Sequence, residues 1–152
     1  MKVIFLDIDG VLNGPRYVRS CGHFGVVIDP ARLHLLKQIT DVTGAVIVLA
    51  TSWREHWNPD ANLCDDAGRD INAIFSEVGL SVFGKTPKLQ TGRTDEICTW
   101  LNDNPQVKNF VVLDDAFMQA AQLDGHIVRT SNLRGGLDEH NVIEAIRILN
   151  ED

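Results

Sequence analysis

The stretch KVIFLDIDG, at residues 2–10, decides the fold, because it joins an unbroken apolar run to a pair of aspartates. A strand-length run without polar alternation is typical of a strand whose two faces are both covered. The run is too short for a signal peptide or a membrane span, and no later run approaches a span. Residues 2–7 are therefore predicted to form a buried strand that carries Asp7 and Asp9 to its carboxyl end.

Downstream of this strand, apolar runs of strand length alternate with stretches of helical periodicity. Strands are predicted at residues 45–51, 80–83, 109–114 and 127–130. Helices are predicted at 69–78, at 94–103 with Thr94 as the opening residue, at 138–149, and after Asp29-Pro30, an N-cap followed by a first-turn proline. This order predicts a three-layer, doubly wound α/β fold with a mainly parallel sheet.

Size and composition are those of an ordinary globular domain. The chain has 152 residues, 44% of them apolar and 23% charged, which predicts one domain over residues 1–152 and excludes wholesale disorder. The formal net charge of −7 disfavours a protein that binds nucleic acids or anionic membranes non-specifically, because such proteins carry an excess of basic residues. Local positive groups can still hold a phosphorylated substrate. Three scattered cysteines without a CxxC pair predict neither disulfides nor zinc, and they fit a cytoplasmic location.

Polar residues follow three of the predicted strands. The pairs are Asp7 with Asp9, Thr51 with Ser52, and Asp114 with Asp115. Taken singly, each pair has an ordinary interpretation as a helix N-cap, a polar turn or, for the first pair, a calcium loop. Together they indicate a site, because the ligand crevice of such a sheet lies outside the carboxyl ends of its strands.

Clustered carboxylates at one edge predict a cation, because they would otherwise repel each other. A divalent ion held by few carboxylates and a substrate phosphate is typical of magnesium, so Mg²⁺ is the expected cofactor. One carboxylate can attack phosphorus to give an aspartyl-phosphate, and a neighbour kept protonated can act as general acid and then as base. The hydroxyl and backbone N–H groups at Thr51 and Ser52 are expected to hold phosphate oxygens.

Three motifs resemble those of the haloacid dehalogenase superfamily of phosphatases. LDIDGVLN at residues 6–13 is similar to its first motif, VIVLATSWR at 46–54 to its second, and VVLDDA at 111–116 to its fourth. The SWR of the second motif and GGLDEHNVIEAIRIL at 135–149 most resemble the small phosphatase domains of RNA-repair (Swiss Army Knife) proteins. The resemblance runs over most of the chain and implies a Rossmann-like core.

The resemblance also implies a role for each motif residue. Asp7 would be the nucleophile, Asp9 the general acid and base, and Thr51 a phosphate ligand. Magnesium would be bound by Asp7, the backbone carbonyl of Asp9, Asp114 and the adjacent Asp115. Because dehalogenases of the superfamily lack the second aspartate of the first motif, Asp9 favours phosphate transfer over carbon–halogen chemistry.

The third motif of the superfamily is normally a lysine, and here it is the weakest match. Arg93 fits best by its spacing to Asp114, because the lysine of the superfamily usually opens the helix predicted at 94–103. An arginine still supplies the positive charge, with a bidentate fork. The alternative is that Arg93 is a solvated surface residue and that Lys85 or Lys88 takes the role.

The gaps between motifs are too short for the large caps of the superfamily. Residues 13–28 are expected to form at most a flap, and residues 53–68 a short loop or helix. Such an open site suits nucleotides or polynucleotide ends. Arg16, Arg19 and His23 either add positive charge from the flap or are ordinary solvated residues.

A second cluster is expected to contact substrate, because Trp and Arg faces stack on bases and Arg pairs with phosphate. The candidate substrate-binding residues are Ser52, Trp53, Arg54, Lys85 and Lys88. The alternative for the tryptophans at 53 and 57 is that one or both pack under the loop as core.

The resulting prediction is a magnesium-dependent phosphomonoesterase that acts on a nucleotide or nucleic-acid terminal phosphate. A phosphatase of a small metabolite, such as a sugar phosphate, is the alternative enzyme. An inactive phosphate-binding module and a receiver-type signalling domain are the non-enzyme alternatives, although a receiver carries its phosphate-accepting aspartate on the third strand. No GxGxxG follows the first strand, which disfavours a dinucleotide-binding domain.

Overall fold

The computed structural model describes all 152 residues and contains a five-stranded, all-parallel sheet. The strands are β1 (Lys2–Leu6), β2 (Val46–Leu49), β3 (Val82–Lys85), β4 (Asn109–Asp114) and β5 (Ile127–Arg129). The helices are α1 (Pro15–Cys21), α2 (Pro30–Thr43), α3 (Asp66–Glu77), α4 (Arg93–Asp103) and α5 (Glu139–Asn150). The strand order is β3-β2-β1-β4-β5, so β1 is central and the direction of winding reverses beside it.

Both faces of the sheet are covered, which confirms the predicted three-layer, doubly wound α/β fold. Ile4 and Leu6 of β1 belong to the larger part of the core, together with buried side chains of α2, α3 and α5. Val3 and Phe5 belong to the smaller part, formed with α4, where Phe5 makes an edge contact with Trp100 at a centroid distance of 5.4 Å. The buried side chains on both faces explain why this strand has no polar alternation.

The second strand is shorter than the sequence predicts. The strand expected at 45–51 ends at Leu49, because Thr51 starts the next element. The Thr51 hydroxyl accepts a hydrogen bond from the Trp53 N–H at 3.3 Å and so caps a 3-10 turn, Ser52–His56. The strand predicted at 80–83 is likewise displaced and forms two residues later, as β3.

Two helix starts also differ from the expected positions. The helix predicted at 69–78 begins at Asp66, because the Asp65 carboxylate accepts two N–H groups of the first turn. The helix expected to open at Thr94 begins at Arg93, with Gly92 at the N-cap and no side-chain cap. This shift makes Arg93 the first helical residue.

No large cap covers the carboxyl edge of the sheet. Residues 13–28 contain only the short helix α1, and residues 53–68 hold only short 3-10 turns before α3. The segment at 132–137 closes against the turn after β1, where the Leu137 N–H donates to the Val11 carbonyl at 2.8 Å. None of the helices has the length and hydropathy that a membrane span requires.

Candidate active site

Three aspartates meet at the carboxyl ends of the two central strands. Leu6 pairs with Leu113 in the register of β1 and β4, so Asp7 and Asp114 emerge side by side. One oxygen each from Asp7, Asp114 and Asp115 lies within 4.8 Å of the other two. Asp7 and Asp114 are buried, and Asp115 is partly exposed. The topology therefore brings together aspartates that are more than 100 positions apart in the chain.

Arg93 crosses this carboxylate cluster from the start of α4. Its Nη1 donates to Asp7 Oδ2 at 3.1 Å and to Asp114 Oδ2 at 2.6 Å. The pairing is partly buried, which strengthens the attraction relative to a surface ion pair. Of the three basic residues considered for the third motif, Arg93 is the one that the fold places against the carboxylates.

Crowding and burial raise the pKa of two of these carboxyls. For Asp7, burial and then repulsion from Asp114 raise the pKa to about 6. The charge of Arg93 and a hydrogen bond with Thr51 oppose this rise. Burial, and then Asp114, also raise the pKa of Asp115 above its ordinary value. One guanidinium therefore compensates the three carboxylates only in part.

Asp9 lies at the mouth of the site, outside the carboxylate cluster. Its exposed side chain is held at both oxygens, since Asn13 Nδ2 donates to Oδ1 at 3.0 Å and Trp53 Nε1 donates to Oδ2 at 2.9 Å. The Asp9 carboxylate is not among the three that converge as metal ligands. A contribution of Asp9 to a metal site therefore depends on its backbone carbonyl.

The turn after Asp9 depends on Gly10 and on Asn13. Gly10 has a φ of +85°, and a Cβ there would lie 2.3 Å from Asp115 Oδ2. The Gly10 N–H donates to Asn13 Oδ1 at 3.1 Å, and its carbonyl accepts from the buried Thr130 hydroxyl at 2.7 Å. The site roles of Asn13 and Thr130 were missed by sequence reasoning. The one signal for Asn13 is a polar side chain directly after an apolar pair.

The second motif lies beside the cluster. Thr51 is fully buried, and the next residue, Ser52, is exposed. Trp53 is partly buried and extends its indole toward Asp9, whereas Trp57 is buried and donates from Nε1 to the Asn72 side chain at 2.9 Å. The core alternative for the tryptophans thus holds for Trp57, and Trp53 borders the site.

Arg54 lies beneath the loop. Its guanidinium is buried, donates to the Thr51 carbonyl at 2.8 Å and pairs with the buried Glu96 of α4 at 2.9 Å. These contacts tie the turn after β2 to the helix that begins with Arg93. They favour a structural role for Arg54, in contrast to the expectation that it contacts substrate.

The two lysines also lie away from the carboxylates. Lys85 Nζ donates to the carbonyls of Arg54 and Trp57, at 3.1 and 2.6 Å, and so fastens the same loop from below. Lys88 is exposed and pairs with Glu55 at 2.5 Å. The structure brings neither lysine into the position that Arg93 holds.

A comparison with protein-family models agrees with this geometry. The family described as the HAD domain in Swiss Army Knife RNA repair proteins matches residues 3–142, a range that contains every residue of the site. Neither the curated proteins nor the solved structures gave a significant match. Because the matched range spans most of the sequence, this chain belongs to the family of HAD domains found in Swiss Army Knife RNA repair proteins.

Proposed function

We propose that this HAD-type hydrolase is a magnesium-dependent phosphomonoesterase that works through an aspartyl-phosphate at Asp7. The observation that carries the proposal is the cluster of Asp7, Asp114 and Asp115 within 4.8 Å, spanned by the Arg93 guanidinium. A purely structural ion pair would not require the third carboxylate. A nucleophile beside a cation site uses all of these groups.

The donor set fits magnesium. It consists of hard carboxylate oxygens, and burial with repulsion from Asp114 raises the pKa of Asp7 and of Asp115, a repulsion that a bound cation would relieve. Asp7, Asp114 and Asp115 would hold the ion, together with the backbone carbonyl of Asp9. When bound, the ion supplies positive charge to the phosphoryl oxygens during transfer.

The chain's own residues would perform the two chemical steps. In the first, an oxygen of Asp7 attacks phosphorus while the bond to the leaving oxygen breaks, and Asp9 gives that oxygen its proton. In the second, Asp9 takes a proton from water, whose oxygen attacks the aspartyl-phosphate. This step releases inorganic phosphate and restores Asp7. The hydrogen bonds from Asn13 and Trp53 orient Asp9 for both transfers.

Other residues would position the phosphate. The Thr51 hydroxyl, which hydrogen-bonds with Asp7 in the free protein, and the backbone at Ser52 would bind phosphate oxygens at the edge of the site. Arg93 would hold Asp7 in line with phosphorus and limit the charge that accumulates there.

For the substrate, we propose a nucleotide or a nucleic-acid terminal phosphate. The open edge without a large cap admits a bulky leaving group, and the partly exposed Trp53 offers an aromatic face beside Asp9. The family name, which refers to RNA repair proteins, agrees with this substrate class.

The test is phosphate release from a panel, with Mg²⁺ and with chelator, by the wild type and by Asp7→Asn. The panel contains mononucleotides, oligonucleotides phosphorylated at the 5′ or 3′ end, sugar phosphates and an aryl phosphate. Magnesium-dependent release that is lost in Asp7→Asn supports the proposal, and higher activity on nucleotides than on sugar phosphates supports the substrate class. Activity retained in Asp7→Asn, or no release from any substrate by folded protein, contradicts it.

A further inference from the structure

A basic groove lies next to the catalytic edge, between α1 and the turn at 132–135. The cavity has a volume of about 570 Å³ and is lined by four arginines and a single carboxylate, that of Asp29. The arginines are Arg16, Arg19, Arg32 and Arg134. This local excess of positive charge contrasts with the formal net charge of −7 of the whole chain.

Three of the four groove arginines lack the acidic partners that Arg69 and Arg147 have elsewhere on the surface. Arg69 and Arg147 each pair with a carboxylate on their own helix. The guanidinium groups of Arg16, Arg19 and Arg134 form no ion pair or hydrogen bond within the chain. These three guanidinium groups are therefore available to bind an anion.

Arg32 differs from these three, because it forms an ion pair with Asp29, although its Nε has no hydrogen-bond partner. Its Nη1 donates to the Leu137 carbonyl at 2.7 Å, which fixes the side chain in the groove wall. Its Nε is buried without a hydrogen-bond partner and lies 3.7 Å from Asp29 Oδ2. The exposed guanidinium groups of Arg16, Arg19 and Arg134 favour a ligand rich in acceptor oxygens.

The groove borders the catalytic cluster at Asn132 and Leu133. A neighbouring cavity of about 420 Å³ is lined by Asp115 and Arg129 and shares Asn132 and Leu133 with the groove. Asn132 Nδ2 also donates to Asp115 Oδ2 at 3.4 Å. A substrate bound at the carboxylates can therefore extend past Asn132 into the groove.

We infer that this basic groove binds a second phosphate group of the same substrate molecule, an inference that rests on the proposed function. Guanidinium forks bind phosphate oxygens bidentately, and a phosphate supplies the acceptors that the groove lacks. The preferred substrates are molecules with two phosphate groups, either a nucleic-acid strand with a terminal phosphate or a small bisphosphate. A substrate with one phosphate does not use the groove.

The kinetic test compares Arg16→Ala/Arg19→Ala with the control Arg69→Ala/Arg147→Ala, which removes the same charge from exposed helix positions elsewhere. Each variant is assayed on an aryl phosphate, a nucleoside 3′,5′-bisphosphate, a sugar bisphosphate and end-phosphorylated oligonucleotides. For substrates with two phosphates, kcat/KM falls about tenfold or more in the groove variant. It stays within about twofold for the aryl phosphate and in the control.

The pattern across substrates decides the outcome. A fall confined to oligonucleotides identifies the ligand as a strand, and a fall that includes the sugar bisphosphate identifies a general second-phosphate site. An equal fall on the aryl phosphate, or no fall on any substrate with two phosphates, overturns the inference. Thermal melting establishes that both variants are folded.

A binding test separates this inference from the proposed function, because it requires no turnover. A fluorescent, end-phosphorylated oligonucleotide is titrated with Asp7→Asn protein, with and without the two groove substitutions, at several KCl concentrations. The groove substitutions weaken binding and reduce the slope of log K against log salt by about 0.7 for each phosphate that is no longer neutralised. If the groove substitutions weaken binding but the wild type shows no phosphatase activity, only the proposed function is refuted. If the groove substitutions leave binding unchanged, the role of the groove is refuted.

Discussion

The ionised form of Asp7 destabilises the folded protein. Burial and the nearby Asp114 raise its pKa from 3.8 to about 6, so the folded protein binds a proton there more tightly than the unfolded chain. Without metal, the contribution of Asp7 to the stability of the fold therefore decreases as pH rises from about 4 to 6 and is constant above that range. Charge crowding of this kind is typical of catalytic and metal-binding carboxylates.

Asp7→Asn is expected to stabilise the fold while it abolishes turnover. At pH 7.5 in chelator, the substitution removes the charge penalty and increases the free energy of unfolding by about 1–3 kcal/mol. Phosphatase activity falls at least about a thousandfold, because the nucleophile is lost. Urea melts and phosphate release measure the two effects. At pH 4 the stability difference disappears, whereas a less stable variant at pH 7.5 would contradict the burial argument.

Gly10 serves the site through the space that it leaves for Asp115. Gly10→Ala is expected to strain the backbone by about 1–2 kcal/mol and to displace the Asp115 carboxylate, since a Cβ there lies 2.3 Å from Asp115 Oδ2. Magnesium affinity in the activity assay should weaken about tenfold or more.

Gly125→Ala is the matched control for this substitution. Gly125 has a φ of +77°, but no atom lies within 4 Å of its Cβ position. It should lose similar stability and keep the wild-type dependence on magnesium. An equal loss of magnesium affinity in both variants would argue against the steric role of Gly10.

At the level of elements, the site depends on how the turn after β2 is fixed to α4. The Arg54–Glu96 pair joins the turn that follows Thr51 to the helix that begins with Arg93. The same oxygen, Glu96 Oε1, accepts from Arg54 Nη2 and from the Leu89 N–H at 3.0 Å, so the pair also holds the segment that precedes α4. Thr51 and Arg93 are thus positioned by one buried ion pair.

Arg54→Ala is expected to reduce activity on every substrate by a similar factor, since both phosphate-positioning residues lose their support. It should also cost about 3–5 kcal/mol of stability, because it leaves the Glu96 charge buried and unpaired. Arg69→Ala, at an exposed pair on α3, is the control and should change little. Urea melts and kcat/KM for an aryl phosphate and a mononucleotide measure the effects. A loss specific to the mononucleotide would restore Arg54 to a substrate-binding role.

For the whole molecule, the carboxylate cluster links stability to pH and metal. Magnesium binds the deprotonated carboxylates, so it should stabilise the folded protein above pH 6 and lose that effect as Asp7 becomes protonated below it.

Thermal melting with Mg²⁺ and with chelator, at pH 7.5 and pH 5, is the measurement. We expect a clear magnesium-induced increase in Tm at pH 7.5, with each kcal/mol of binding worth roughly 2–4 °C. The increase should nearly vanish at pH 5 and in Asp7→Asn. An equal increase at both pH values would place magnesium somewhere other than the carboxylate cluster.

The sequence by itself determined the layer architecture and the strand ends that carry polar residues. Unbroken apolar runs such as 109–114 indicate strands that are buried on both faces. This pattern can be predicted because it depends only on neighbouring residues in the chain. The helix N-cap at Asp29 was predicted for the same reason, because its carboxylate accepts a hydrogen bond from the Ala31 N–H, only two positions away. Element ends were less predictable, since Thr51 fits a strand end and an N-cap equally well.

Only the tertiary structure decided which polar residues meet. Spacing to Asp114 made Arg93 the best sequence match to the third motif, but its contact with Asp7 and Asp114 depends on the packing of α4 against the sheet. The burial of Arg54 against Glu96 is likewise a contact across 42 positions. Periodicity encodes which face of an element is apolar, but long-range pairing of charges is set by the folded topology.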